Sequence, residues 1–163
     1  MWHQINIKTS EANQEVVRKL TNKLPTGTKE NVVARIALGH SLQTGKKFSK
    51  NEFNDYDSKG KEYKDHILFD AKHRDFYIAL ISQYYSVYKT NDNIPKYIKL
   101  HIDHGLELLS ELFESNSQYT FFDFLVQHLE KGISALENLE VSLDHVKNNN
   151  QNFEKSHFTS ALS

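Results

Sequence analysis

The chain reads as a mostly α-helical protein with one short N-terminal strand followed by about five helices, the N-terminal part resembling a ribbon–helix–helix variant. Three observations lead there. Apolar residues recur at three- and four-residue spacing over most of the 163 residues. A single stretch near the start alternates with period two instead. Pro25 and Pro95 stand at the end of one helical pattern and at the start of another.

The alternating stretch is QINIKTS (4–10), with Ile5 and Ile7 on one side and Gln4, Asn6 and Lys8 on the other. Ser10 is placed to cap a helix over 11–24, whose Val16, Val17, Leu20 and Leu24 share a face. Pro25 stops that helix, Gly27 supplies a permissive backbone, and Thr28 is a suitable N-cap for a second helix through NVVARIALGHSL. Val32, Val33, Ile36, Ala37 and Leu42 form its apolar side, and Gly39 within it suggests the close approach of another backbone. Residues 43–65 are polar and read as an exposed connection with room for a short hairpin turning at Ser58–Gly60. After the brief apolar run HILFD, Asp70 is placed to cap a helix over 71–88. Its Phe76, Leu80, Ile81, Tyr84, Tyr85 and Tyr88 predict a buried or subunit-facing helix. Pro95 opens a helix over 95–114 with Ile98, Ile102, Leu106, Leu109 and Phe113 on one face; Gly105 inside it predicts a tight helix crossing. Thr120 and Asp123 resemble a capping box for a helix over 120–139. The expected organisation is one domain over 1–140, comprising a basic strand–helix–turn–helix (4–44), the polar insert (43–65) and a helical core (66–139), followed by a mobile polar tail over 141–163.

Composition narrows the function. With no cysteine, disulfides, thiolate zinc sites, iron–sulfur clusters and cysteine nucleophiles are excluded. No run approaches ~20 apolar residues and the start lacks a basic-then-apolar signal pattern, so a cytoplasmic protein without a membrane span is expected. The net charge of −1 conceals a division. Residues 1–50 hold nine Lys/Arg against three Asp/Glu, a balance of +6; residues 51–163 hold eleven against eighteen, a balance of −7. A basic third is the electrostatic footprint of a polyanion partner, unless the two parts neutralise each other.

The turn LPTGTKENVVARI (24–36) lacks the glycines and the preceding strand of a nucleotide-binding loop. What remains is a helix N-terminus with free amides at Thr28 and Lys29, a general anion site built into an ordinary corner. Lys19 and Lys23 share a helix face, and Arg18, Lys29, Arg35, Lys46 and Lys47 extend the basic run. Phosphate binding uses long cationic side chains at several points along a groove. In a ribbon–helix–helix arrangement Gln4, Asn6 and Lys8 point at DNA and the second helix's N-terminus holds a backbone phosphate. His101, Asp103 and His104 are close in sequence and, with a distant third ligand such as His73 or Asp70, make a metal-assisted DNA-nicking enzyme the alternative; core or interface histidines with local hydrogen bonds are the simpler account.

The blocks KLPTGTKENVVARIALGHSL, ILFDAKHRDFYIALISQYY and IPKYIKLHIDHGLELL, in this order, resemble the DndE family, over roughly residues 4–140. The insert and the Asn-rich tail lie outside what the resemblance carries. It implies a mostly helical homotetramer that binds double-stranded DNA, with a preference for nicked duplex, through surface lysines. It also implies work beside a cysteine desulfurase, a sulfurtransferase and an ATPase in DNA phosphorothioation, the replacement of a non-bridging phosphate oxygen by sulfur. Lys19, Lys23, Gly27, Lys29 and Arg35 inherit the DNA role by motif position, with Lys8 and Thr28 joining them from the strand and turn. No nuclease constellation is readable, so the expectation is a non-catalytic subunit with no catalytic residues and no cofactor.

Overall fold

In the computed structural model the described residues are 5–25 and 27–160, with the backbone alone described for 143–160. The element order is β1 (Asn6–Lys8), α1 (Glu11–Asn22), α2 (Glu30–Gln43), a 3₁₀ turn (Lys50–Asn54), β2 (Glu62–Lys64), α3 (Asp65–Leu68), α4 (Asp70–Tyr85), α5 (Ile94–Ser115) and α6 (Phe121–Ser160). The chain divides into two compact units, with the boundary between Gln118 and Tyr119. None of the helices among the described residues is long and apolar enough to cross a membrane. The mostly helical class with a short N-terminal strand is the observed one.

The first unit is built on α5, against which α2 packs most extensively, followed by α1, β1 and α4. The face read from the sequence, Ile98, Ile102, Leu106, Leu109 and Phe113, is buried throughout. Each fully buried aliphatic side chain there contributes about 1.5–3 kcal/mol. Gly105 marks the α2–α5 crossing: a Cβ at this position would fall on the backbone of Ala37, so the tight crossing expected from the glycine lies within the chain. Gly39 is different. It is exposed, and a Cβ there would meet nothing within 4 Å, so its expected close backbone approach is corrected.

Several local details depart from the sequence reading. β1 pairs antiparallel with β2 in the register Asn6↔Lys64, Ile7↔Tyr63, Lys8↔Glu62, so its ribbon partner comes from the polar insert of the same chain. Ile7 and Tyr63 point inward together. The insert is thus part of the fold rather than a bare connection, and it also buries Phe48. Ser10 occupies the cap position of α1, but its side chain makes no cap bond; the Glu11 amide donates instead to Asp57 of the insert, at 3.0 Å. Asp70 is the first residue of α4 with φ +58°, not its side-chain cap. On α4 the fully buried residues are Ile78 and Ile81; Tyr85 stacks on Tyr97 of α5, whereas Phe76, and Tyr88 just beyond the helix, are 64% and 72% exposed.

In the second unit, Thr120 and Asp123 form the reciprocal cap the sequence suggested. The Thr120 amide donates to the Asp123 carboxylate at 2.8 Å and the Asp123 amide to the Thr120 hydroxyl at 3.3 Å. The helix so started runs 40 residues, past the predicted end at 139.

Candidate nucleic-acid interface

The corner between α1 and α2 assembles from its sequence step by step. The first helix ends at Asn22, where the Lys23 amide closes back on the Leu20 carbonyl at 3.0 Å. Gly27 takes φ +91°, a conformation an L side chain rarely adopts, and this turns the chain. Both the amide and the hydroxyl of Thr28 donate to the Pro25 carbonyl, at 3.1 and 2.8 Å. Thr28 therefore staples the turn, and the cap of α2 moves one residue on, to Lys29. Its amide is spent there, which corrects the expectation that it stands free. The first amides of a helix have no acceptor within the helix, and Glu30 and Asn31 hold those positions at the positive end of the α2 dipole.

An open groove of about 890 Å³ lies at this helix start. Of the residues read from the sequence, Thr28, Lys29 and Arg35 line it together. Lys61 and His66 join them from the insert and α3, and Tyr63 contributes to the wall. The Tyr63 hydroxyl is buried with no hydrogen-bond partner among the described residues, an orphan donor beside the groove. Acidic groups are present as well: Glu30, Glu62 and Asp70. The Glu30 carboxylate is held 2.9 Å from the Lys61 ammonium. Arg35 donates to the Leu68 carbonyl at 2.7 Å, so it caps the C-terminal end of α3 while its charge borders the groove. Lys29 is the exposed cation at the helix start.

The other predicted residues are dispersed. Lys8 is exposed on β1 opposite Glu62. Lys19 is exposed on α1. Lys23 donates to the Phe113 carbonyl at 3.1 Å and lies over the Phe113 ring, tying α1 to the last turn of α5. Arg18 is paired with Glu15. Gln4 lies outside the described residues. Lys61 and His66 were missed by sequence reasoning; the K-E-Y-K alternation around Tyr63 was the available signal, but three residues of strand are too short to separate from a polar loop.

His101, Asp103 and His104 are committed within the protein. His101 is wholly buried, its Nδ1 2.7 Å from the Ser41 hydroxyl and its Nε2 2.7 Å from the Tyr85 hydroxyl. The Ser41 hydroxyl also reaches His104 Nδ1 at 2.8 Å. A neutral ring with one N–H and one lone pair suits two hydroxyl neighbours, since each can donate or accept. Asp103 takes the Ser10 amide, the Asn13 side chain and the Lys99 ammonium. Among the described residues no group of three His, Cys, Asp or Glu is placed to hold a metal ion.

Burial, with smaller contributions from His104 and Lys46, lowers the His101 pKa to about 4. Burial lowers that of His104 too. The unfolded chain binds these protons near pH 6.5 and the folded chain does not, so stability is full above pH 6.5 and is lost as pH falls toward 4. Urea unfolding at pH 7 and pH 5 is expected to show a loss of about 2 kcal/mol from His101, with His104 adding to it. A stability unchanged between these pH values contradicts the neutral buried pair.

The family model for DndE, described as DNA sulphur modification protein DndE, matches residues 6–117. Among solved structures, the crystal structure of DndE from Escherichia coli B7A, described as involved in DNA phosphorothioation modification, is similar with a TM-score of 0.50 and 16% identity. The similarity covers 64% of this chain and 96% of that one. A glycine-to-lysine mutant of DndE involved in DNA phosphorothioation gives a TM-score of 0.51 and 14% identity over the same shares of the two chains. No curated protein matches the chain.

Proposed function

From the premise that the chain belongs to the DndE family of DNA sulphur modification proteins, we propose that it is the non-catalytic, duplex-binding subunit of a DNA phosphorothioation machinery, holding backbone phosphate at the start of α2. The observation that carries this reading is that Lys29, Arg35 and the first α2 turn, Glu30 and Asn31, line one open groove. A helix N-terminus with flanking cations is a phosphate site by electrostatics alone. Lys61 neutralises Glu30 within the groove, and the exposed Lys29, Arg35 and the helix dipole act on an incoming anion against the remaining carboxylates, Glu62 and Asp70. Lys8 and Lys19 are exposed on neighbouring elements and offer further phosphate contacts along the duplex. On this reading the chain prefers nicked duplex, where the backbone bends freely toward the groove. It works in the cytoplasm as a homotetramer beside the desulfurase, sulfurtransferase and ATPase subunits.

Lys29 is the clean probe, because its side chain is exposed whereas Arg35 also caps α3. Lys29→Ala is expected to weaken duplex binding roughly uniformly across sequences and to reduce the slope of log affinity against log salt by about one, with folding stability unchanged. Fluorescence anisotropy with intact and nicked duplexes over a salt series measures this. A wild-type affinity that does not change with salt, or a Lys29→Ala curve superimposed on wild type, overturns the phosphate-binding role.

A further inference from the structure

The helix α6 begins after the last residue matched by the DndE family model, at 117. Every residue from 129 to 142 is exposed. Yet its sequence is not that of a solvated helix. Phe122, Leu125, Leu129, Gly132, Leu136 and Leu139 follow one another at alternating three- and four-residue spacing, three heptads with apolar or small residues at a and d. Ile133 widens the stripe at an e position. The large side chains among these are between 42% and 72% exposed.

We propose that this face of α6 is a self-association surface on which the same face of a second copy of the chain seats as a coiled coil. A sustained 3.5-residue repeat fits a partner helix of the same pitch, since a straight helix drifts off such a stripe by about 20° per heptad and supercoiling restores it. A second copy supplies that partner. The area suffices: six large apolar residues at these exposures present on the order of 100 Å² each. That makes about 600 Å² per helix, the upper end of what a monomer leaves in water. Two copies together bury about 1,200 Å², which reaches the size of a specific interface. Gly132 fits the same picture. A Cβ there would meet nothing within 4 Å among the described residues, and at a d position a glycine lets a partner helix approach. The remaining sides carry Asp123, Glu130, Glu137 and Glu140 against Lys131, an acidic balance unsuited to an anionic membrane surface.

This inference does not depend on the DNA reading, and its test leaves the α2 groove untouched. The solution mass of the full chain is measured by sedimentation for wild type, for Leu129→Glu/Leu136→Glu on the stripe, and for Glu130→Lys/Glu137→Lys off it. The stripe variant is expected to have half the wild-type mass or less with its far-UV helicity retained, because 129 and 136 are already exposed in their own chain. The off-stripe variant keeps the wild-type mass. Ile133→Gln/Leu139→Gln provides a milder second variant that moves mass in the same direction. Equal masses for wild type and both stripe variants overturn the proposal, as does an equal drop in the off-stripe variant, which would assign association to charge.

Discussion

Gly105→Ala is expected to be among the most damaging single-methyl changes this chain can receive. Within an ordinary helix the substitution gains stability, by about 1 kcal/mol, because alanine loses less backbone freedom than glycine. Here the added Cβ would overlap the Ala37 carbonyl oxygen and lie 2.5 Å from its carbon. Those atoms are α2 backbone, which has no rotamer to change, so the two helices must part by more than an ångström. Parting them loosens Leu38, Ile98, Ile102 and Leu106 at once, all fully buried in this first unit. Overpacking of a well-formed core costs typically 1–3 kcal/mol, and a backbone clash at the most extensive helix contact belongs above that range, at about 4 kcal/mol net. Gly39→Ala is the matched control: also a helical glycine, but with nothing within 4 Å of its new Cβ, it is expected to stabilise by about 1 kcal/mol. Opposite signs in urea unfolding are the expected result. Equal effects at 105 and 39 would show that the α2–α5 crossing is not set by the glycine.

The same pair of glycines shows what was legible in the sequence. Helical periodicity identified the apolar face of α5 correctly, because that face is buried by several elements at once and its pattern is uninterrupted. Periodicity does not say which helix lies opposite, so Gly39 and Gly105 looked alike although only one is crossed. Aromatic content misled only in part: Tyr85 of α4 does pack on α5, but Phe76 and, past the helix end, Tyr88 remain in water. The insert was read as polar connection because β2 and α3 are three and four residues long, below the length at which a period can be recognised. This cost half of the groove: Thr28, Lys29 and Arg35 are contiguous with a visible turn signal, whereas Lys61 and His66 arrive by pairing of β2 with β1, a contact across more than fifty residues. Hydrogen-bond detail was out of reach for the same reason. Ser10 has the right type and position for a cap, yet Asp57 supplies the bond from the insert.

Asp103 is expected to be the second position of large effect, through charge rather than volume. Its carboxylate is fully buried and accepts the Ser10 amide at 2.9 Å, the Asn13 side-chain amide at 2.7 Å and the Lys99 ammonium at 3.0 Å. Three segments therefore meet on one side chain: the end of the β1 stretch, the first turns of α1, and α5. Lys99 also donates to the Tyr56 carbonyl at 3.1 Å and lies over the Tyr56 ring, and it is only 8% exposed. Asp103→Asn keeps an acceptor for Ser10 and Asn13 but removes the counter-charge, leaving an ammonium buried against a neutral amide. Breaking one partner of a buried pair costs about 3–5 kcal/mol, whereas removing both charges costs far less. Lys99→Met added to Asp103→Asn is therefore expected to recover at least about 1 kcal/mol, a coupling that additive effects do not produce. Amide exchange over 6–22 should rise in the single variant and fall back in the double, because β1 and α1 are what the carboxylate fastens to α5. The result also separates the two chemical readings of the HIDHG segment. A carboxylate that closes a buried ion pair gives the same stability loss with divalent metal or with chelator present, and plasmid nicking is unchanged in Asp103→Asn. A loss seen only with metal, with no recovery from Lys99→Met, would make Asp103 a ligand rather than a fastener.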